Sequence, residues 1–81
     1  MIPTGLFVEV NNEHESAIAK FLPFHSAHEG LAIIQEEYEE LKTEVFRNQS
    51  RRDMTSMRKE ALQLATMALR FIMDICDKED K

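Results

Sequence analysis

Pro3, Gly5, Pro23 and Gly30 are the only glycines and prolines in this chain, and all four fall within its first 30 positions. From Leu31 to Lys81 nothing strongly interrupts a helix. An apolar-periodic segment of that length without a breaker predicts an all-α fold. The N-terminal "MIPTGLFVEV" is apolar and β-branched but has no second strand to pair with, so residues 1–11 read as an extended arm or a short helical turn.

Three helices are predicted beyond it. In "NNEHESAIAKFL", Asn12 stands as a cap with Glu15 at the capping-box position, ahead of Ala17, Ile18 and Phe21, which predicts a short helix over about residues 12–22 ended by Pro23. "SAHE" is a second capping box, in which the Ser26 hydroxyl takes one free amide and Glu29 returns to the Ser26 amide. Leu31, Ile34, Tyr38, Leu41 and Val45 then recur at three and four, which predicts a helix over about residues 26–47. "QSRRD" is a short polar connection, and Ser50 or Asp53 can cap the next helix. Met57, Ala61, Leu64, Ala68, Phe71 and Ile75 predict that third helix over about residues 53–77, with Ala61, Ala65 and Ala68 small enough for close helix approach. The charged tail, 78–81, reads as frayed.

The chain of 81 residues is short enough to be one domain with a real but thin core. A helical hairpin cannot bury both apolar stripes by itself, so the expected architecture is a hairpin plus a short N-terminal helix, completed to a four-helix-type bundle by oligomerisation as a homodimer or homotetramer. With 15 acidic against 10 basic residues and a net charge of −5, backbone-blanketing binding to a nucleic-acid polymer is not expected. The lone Cys76 has no partner for an internal disulfide, no apolar run approaches the roughly 20 residues of a membrane span, and no signal-peptide layout opens the chain. The expectation is a cytoplasmic protein with no membrane partner.

The functional question lies in "IIQEEYEELK", where four glutamates crowd within five positions. Projected at about 100° per residue, Glu37, Glu40 and Glu44 share one flank of the apolar stripe with Ile33, while Glu36 and Glu39 face water. On the third helix Glu60 lies beside the stripe, followed along the same flank by Gln63, Met67, Arg70 and Asp74. Carboxylates at a core edge need compensation, and a hard divalent cation held by glutamates of two facing helices supplies it. The competing reading is a solvated acidic face.

Glu36, Glu37 and Glu40, followed by Glu60, resemble the E-E-x-x-E and E-x-x-D pattern of the MazG-like all-α nucleoside triphosphate pyrophosphohydrolases. The wider string "PFHSAHEGLAIIQEEYEEL…RKEALQLATMALRFIMDI" is similar to short stand-alone bacterial and phage members of that superfamily, over most of the chain. The resemblance implies Mg²⁺, or Mn²⁺, held by carboxylates, and hydrolysis of a nucleoside triphosphate to monophosphate and pyrophosphate. It implies Glu37, Glu40 and Glu60 as catalytic metal ligands. Gln63 stands where the pattern has aspartate: its amide oxygen can ligate but brings no charge, which leaves a site that binds metal weakly, one that uses Asp74 or Glu44 instead, or one that has lost catalysis. Alternatives on the same scaffold are a non-catalytic dimerisation or interaction module and a regulator that binds nucleotides without turnover.

Substrate contacts are expected from Glu36, from Arg70 on the carboxylate flank, which is a phosphate or ion-pair candidate, and from His28 at the start of the second helix, where free amides favour an anion. His25 is a weaker candidate. Arg47, Arg51, Arg52, Arg58 and Lys59 read mainly as a charged loop solvating itself. Phe21, Phe24 and Tyr38 could stack on a base, with core packing the default for Phe21 and Tyr38 and packing under the helix start for Phe24; Met54, Met57, Met67 and Met73 read as gap-fillers, and Cys76 as a helix-end core residue.

Overall fold

The computed structural model describes residues 1–47, 49–51 and 53–78. Arg52 of the basic loop and residues 79–81 of the tail lie outside the described residues. The described chain is all helical: α1 (Thr4–Lys20), α2 (Ala27–Val45) and α3 (Met54–Phe71), with a 3₁₀ turn at Gln49–Arg51 and a π-helical turn at Ile72–Cys76. α3 is the central element, and both α1 and α2 pack on it. The result is elongated, 53 × 29 × 25 Å.

α1 corrects the N-terminal expectation. There is no arm over 1–11: the helix begins at Thr4, behind Pro3, and Asn12 lies inside it rather than capping it. Proline at φ −59° already holds the helical value, and its carbonyl accepts from the Leu6 and Phe7 amides at 3.1 and 3.2 Å. Leu6, Val10 and Glu13 are half-buried and Ala17 is buried, a spacing of four, three and four that runs across residue 11. A bidentate pair, Arg58 donating to both oxygens of Glu9 at 2.7 Å, ties the N-terminal half to α3. α1 ends at Lys20, with Phe21 extended ahead of Leu22–Pro23.

Ser26 caps α2 as expected, accepting from the Glu29 amide at 3.1 Å. The return bond is shifted by one residue: Glu29 Oε1 accepts from the His25 amide, at 2.6 Å, not from Ser26. Of the two candidate caps for α3, Asp53 serves, accepting from the Thr55 amide at 2.9 Å and the Ser56 hydroxyl at 3.0 Å.

The core is thin: Ala17, Phe24, Gly30, Thr66 and Arg70 are the buried residues among those described. Phe24 does pack under the start of α2, against Gly30. A Cβ on Gly30 would stand 2.7 Å from Phe71 Cδ2 and 3.0 Å from Phe24 Cδ2, so only hydrogen fits between the two rings. Gly30→Ala gains about 1 kcal/mol of helix propensity, but overpacking costs about 1–3 kcal/mol. The expected outcome is a net loss of about 1 kcal/mol, read as a lower midpoint in thermal unfolding.

α3 departs from its projected face. Ala61, Ala65 and Ala68 are exposed and mediate no close approach to α2, while Thr66 and Arg70 are fully covered. Serving a partner on each side turns the buried arc of α3 away from the alanines and toward Glu60, Gln63, Met67, Arg70 and Asp74. Leu31, Tyr38 and Phe21, expected in the core, are 59, 51 and 64% exposed.

Candidate functional site

α2 carries Glu37 and Glu40 one turn apart, and α3 presents Glu60 across the helix pair. One carboxylate oxygen from each lies within 4.8 Å of the others, with Glu37 and Glu60 half-buried and Glu40 exposed. Oxygens opposite one another on Mg²⁺ stand about 4.2 Å apart, and on Ca²⁺ about 5 Å. The three groups are therefore within small side-chain adjustments of a shared ion, and three anionic oxygen donors suit a hard cation.

The electrostatics agree with that demand. Burial pushes the Glu37 carboxyl above the ordinary carboxylate range, with further contributions from Glu40, Glu60, Glu36 and Glu13. Glu60 is likewise raised by burial and by Glu40, against an opposing contribution from Lys59. Raised carboxyls favour the protonated folded state, so their contribution to stability is full below the ordinary glutamate value and is lost as pH rises through the raised one. Glu9, held down by Arg58, and Asp53, held down by its cap bonds, act in the opposite sense at lower pH. Above the ordinary glutamate value, the metal-free protein is expected to lose thermal stability as pH rises toward neutrality. Saturating Mg²⁺ should flatten that slope in a pH series of melting curves.

Gln63 sits among the carboxylates. The end of its amide lies 3.2 Å from Glu37 Oε2 and 2.9 Å from Glu60 Oε1. With the nitrogen turned toward them, Gln63 donates to both and bridges the pair. With the oxygen turned toward them, three acceptors face one another, an arrangement that needs a proton on one of the carboxyls or a cation between them. One residue thus substitutes for the ion in one orientation and can ligate it in the other.

The proposed substitutes for the missing aspartate lie elsewhere or are engaged. Asp74 is bound at the far end of α3, where its Oδ2 accepts from Arg70 Nε and from the Phe24 amide, both at 3.1 Å. Glu44 accepts from Arg47 at 2.9 Å.

Beside the trio runs an open cleft of about 670 Å³, walled by α1, the turn after it, and α2, and floored by α3. Of the trio only Glu37 lines it, together with Gln63, Ile33, Met67, Arg70, Phe21, Phe24 and His25. Glu36, projected toward water, is exposed and lines the cleft. His28 is exposed, and the histidine on the cleft is His25. Arg70 is on the cleft but is only 2% exposed. Its Nη2 donates to the carbonyls of Phe21, at 2.9 Å, and Leu22, and its guanidinium lies 5.2 Å from the centre of the Phe24 ring. Sequence reasoning missed Glu13 and Lys20 on the α1 wall. The signal for Glu13 was its place on the 6-10-13-17 stripe, which becomes visible once α1 starts at Thr4.

Compared with models of known families, with curated proteins and with solved structures, the chain matches none.

Proposed function

We propose that this protein is a Mg²⁺-dependent nucleoside triphosphate pyrophosphohydrolase, with Mn²⁺ as an alternative ion. The observation that carries the reading is the convergence of Glu37, Glu40 and Glu60 beside a cleft of about 670 Å³, within the size range of small-molecule and cofactor sites. The ion, when bound, neutralises the triphosphate and polarises the phosphorus under attack. Glu37, Glu40 and Glu60 would hold that ion, with the Gln63 amide oxygen as a further ligand. A carboxylate oxygen of the trio that is not a ligand orients the attacking water and accepts its proton. Water adds at the α phosphorus, the bond to the bridging oxygen breaks, and pyrophosphate leaves. Glu36 on the cleft and His25, rather than His28, are the residues best disposed toward substrate.

The reading includes a homodimer or homotetramer. It is supported by large apolar side chains left exposed among the described residues, including Phe7, Val8, Leu69, Ile72 and Met73. Sedimentation at micromolar concentration tests it, and a monomer sinks it. Among the described residues no helix is long and apolar enough to cross a membrane. The single cysteine suits a cytoplasmic setting, with neither a membrane nor a nucleic-acid polymer as partner.

The test is to incubate the protein with each nucleoside triphosphate and Mg²⁺ and assay pyrophosphate. No release, together with a melting temperature indifferent to Mg²⁺ and Mn²⁺, removes the enzyme reading. A second reading, a nucleotide-binding regulator without turnover, draws its support from the Gln63 amide bridging Glu37 and Glu60. Metal and nucleotide binding without pyrophosphate release would favour it.

A further inference from the structure

The turn between α1 and α2 has no regular structure, yet its backbone is clamped at four points. The Phe21 and Leu22 carbonyls accept from Arg70, the Phe24 amide donates to Asp74, and the His25 amide donates to Glu29. Arg70 and Asp74 lie about 50 positions away in sequence, and Arg70 is buried to do this. A segment held so firmly nonetheless leaves Phe21 64% and Leu22 77% exposed. Apolar side chains displayed on a rigid turn, at solvation cost, are what a recognition element requires.

Phe21 lines the cleft, and Glu37 and Gln63 line it too. Phosphate is a poor occupant for the Phe21 end. Glu13, Glu29 and Glu36 share the cleft wall, its one exposed lysine is Lys20, and Arg70 has its Nε and Nη2 committed to protein acceptors. An uncharged π face suits that position. We infer that the Phe21 ring is the stacking platform for the base of the nucleotide, with the phosphates directed toward Glu37, and that Arg70 and Asp74 are positioning residues that hold the platform in place. This rests on the nucleotide reading proposed above. Stacking carries no hydrogen-bond code, so a broad base preference is expected, with the larger purines favoured.

The chain contains no tryptophan, so in a Phe21→Trp variant indole emission reports on this position alone. Titration with adenosine, without metal or triphosphate, is expected to quench it saturably, and ribose 5-phosphate is not. Phe21→Ala, at an exposed position that does not threaten folding, is expected to raise KM for ATP about tenfold with kcat within about twofold. Phe21→Trp should keep KM near that of the parent. Emission indifferent to adenosine, or an unchanged KM in Phe21→Ala, overturns the inference while pyrophosphate release leaves the hydrolase reading standing. Quenching in a protein that releases no pyrophosphate supports the platform and overturns the hydrolase reading instead.

Discussion

Arg70→Met is expected to lower the free energy of unfolding by about 3–5 kcal/mol, as breaking one partner of a buried ion pair does. The loss has three parts in the structure. The Asp74 carboxylate keeps only the Phe24 amide, the carbonyls of Phe21 and Leu22 lose their donor, and the Phe24 ring loses the cation above it. A domain of this size has about 4–12 kcal/mol in total, so the variant should be near the edge of folding. Urea unfolding measures it. Pairing the change with Asp74→Asn should cost less than the sum of the two single changes, because the stranded charge is then gone. Strict additivity would mean that the guanidinium acts through its carbonyl contacts alone.

Glu37→Gln and Glu60→Gln are each expected to abolish the Mg²⁺-induced rise in melting temperature and to reduce pyrophosphate release by more than about 100-fold. Loss of groups that merely support metal ligands already costs 10- to 100-fold. Glu39→Gln, on the exposed side of α2, should change neither by more than about twofold. Equal, small effects at all three positions would return the cluster to a solvated acidic face. Gln63→Asp separates two roles by sign. It adds a fourth carboxylate, so the metal-free protein should melt lower, while affinity for Mg²⁺ should rise. If both quantities fell together, Gln63 would be a bridge only and not a ligand.

Much of the helix layout is legible in the sequence. Ser26 and Asp53 cap where cap chemistry indicates, α2 falls within two residues of the bounds set by apolar spacing, and α3 stops at Phe71, six residues before its expected end, where a π-helical turn carries the chain on to Cys76. The carboxylate trio is legible for the same reason: positions 37 and 40 share a face by helical pitch, and Glu60 lies on the flank of α3 that turns out to be the packed one. Two of the expectations that fail trace to α1, while the exposure of Leu31, Tyr38 and Cys76, all expected in the core, does not. Taken alone, "MIPTGLFVEV" conceals a stripe that continues to Ala17, so the expected helix over 12–22 starts too late, although it already carries Glu13, Ser16, Ala17 and Lys20 of the cleft wall. Without that second neighbour, α3 is oriented on its alanines. For Arg70 the ion-pair reading holds, with Asp74 as the partner, but its bonds to the Phe21 and Leu22 carbonyls in the turn after α1 are not visible from the sequence.

The division between the two levels reflects the range of the forces. The sequence by itself determined that the chain is helical, where its caps lie, and which glutamates share a flank, because all three depend on spacing within one helix. The tertiary structure decided that Glu60 meets Glu37 and Glu40, that Gln63 stands between carboxylates, that His25 rather than His28 faces the cleft, and that Arg70 is a buried clamp. Each of those depends on the angle at which one helix meets another, and that angle is set by which side chains find room to pack, as Gly30 does between Phe24 and Phe71.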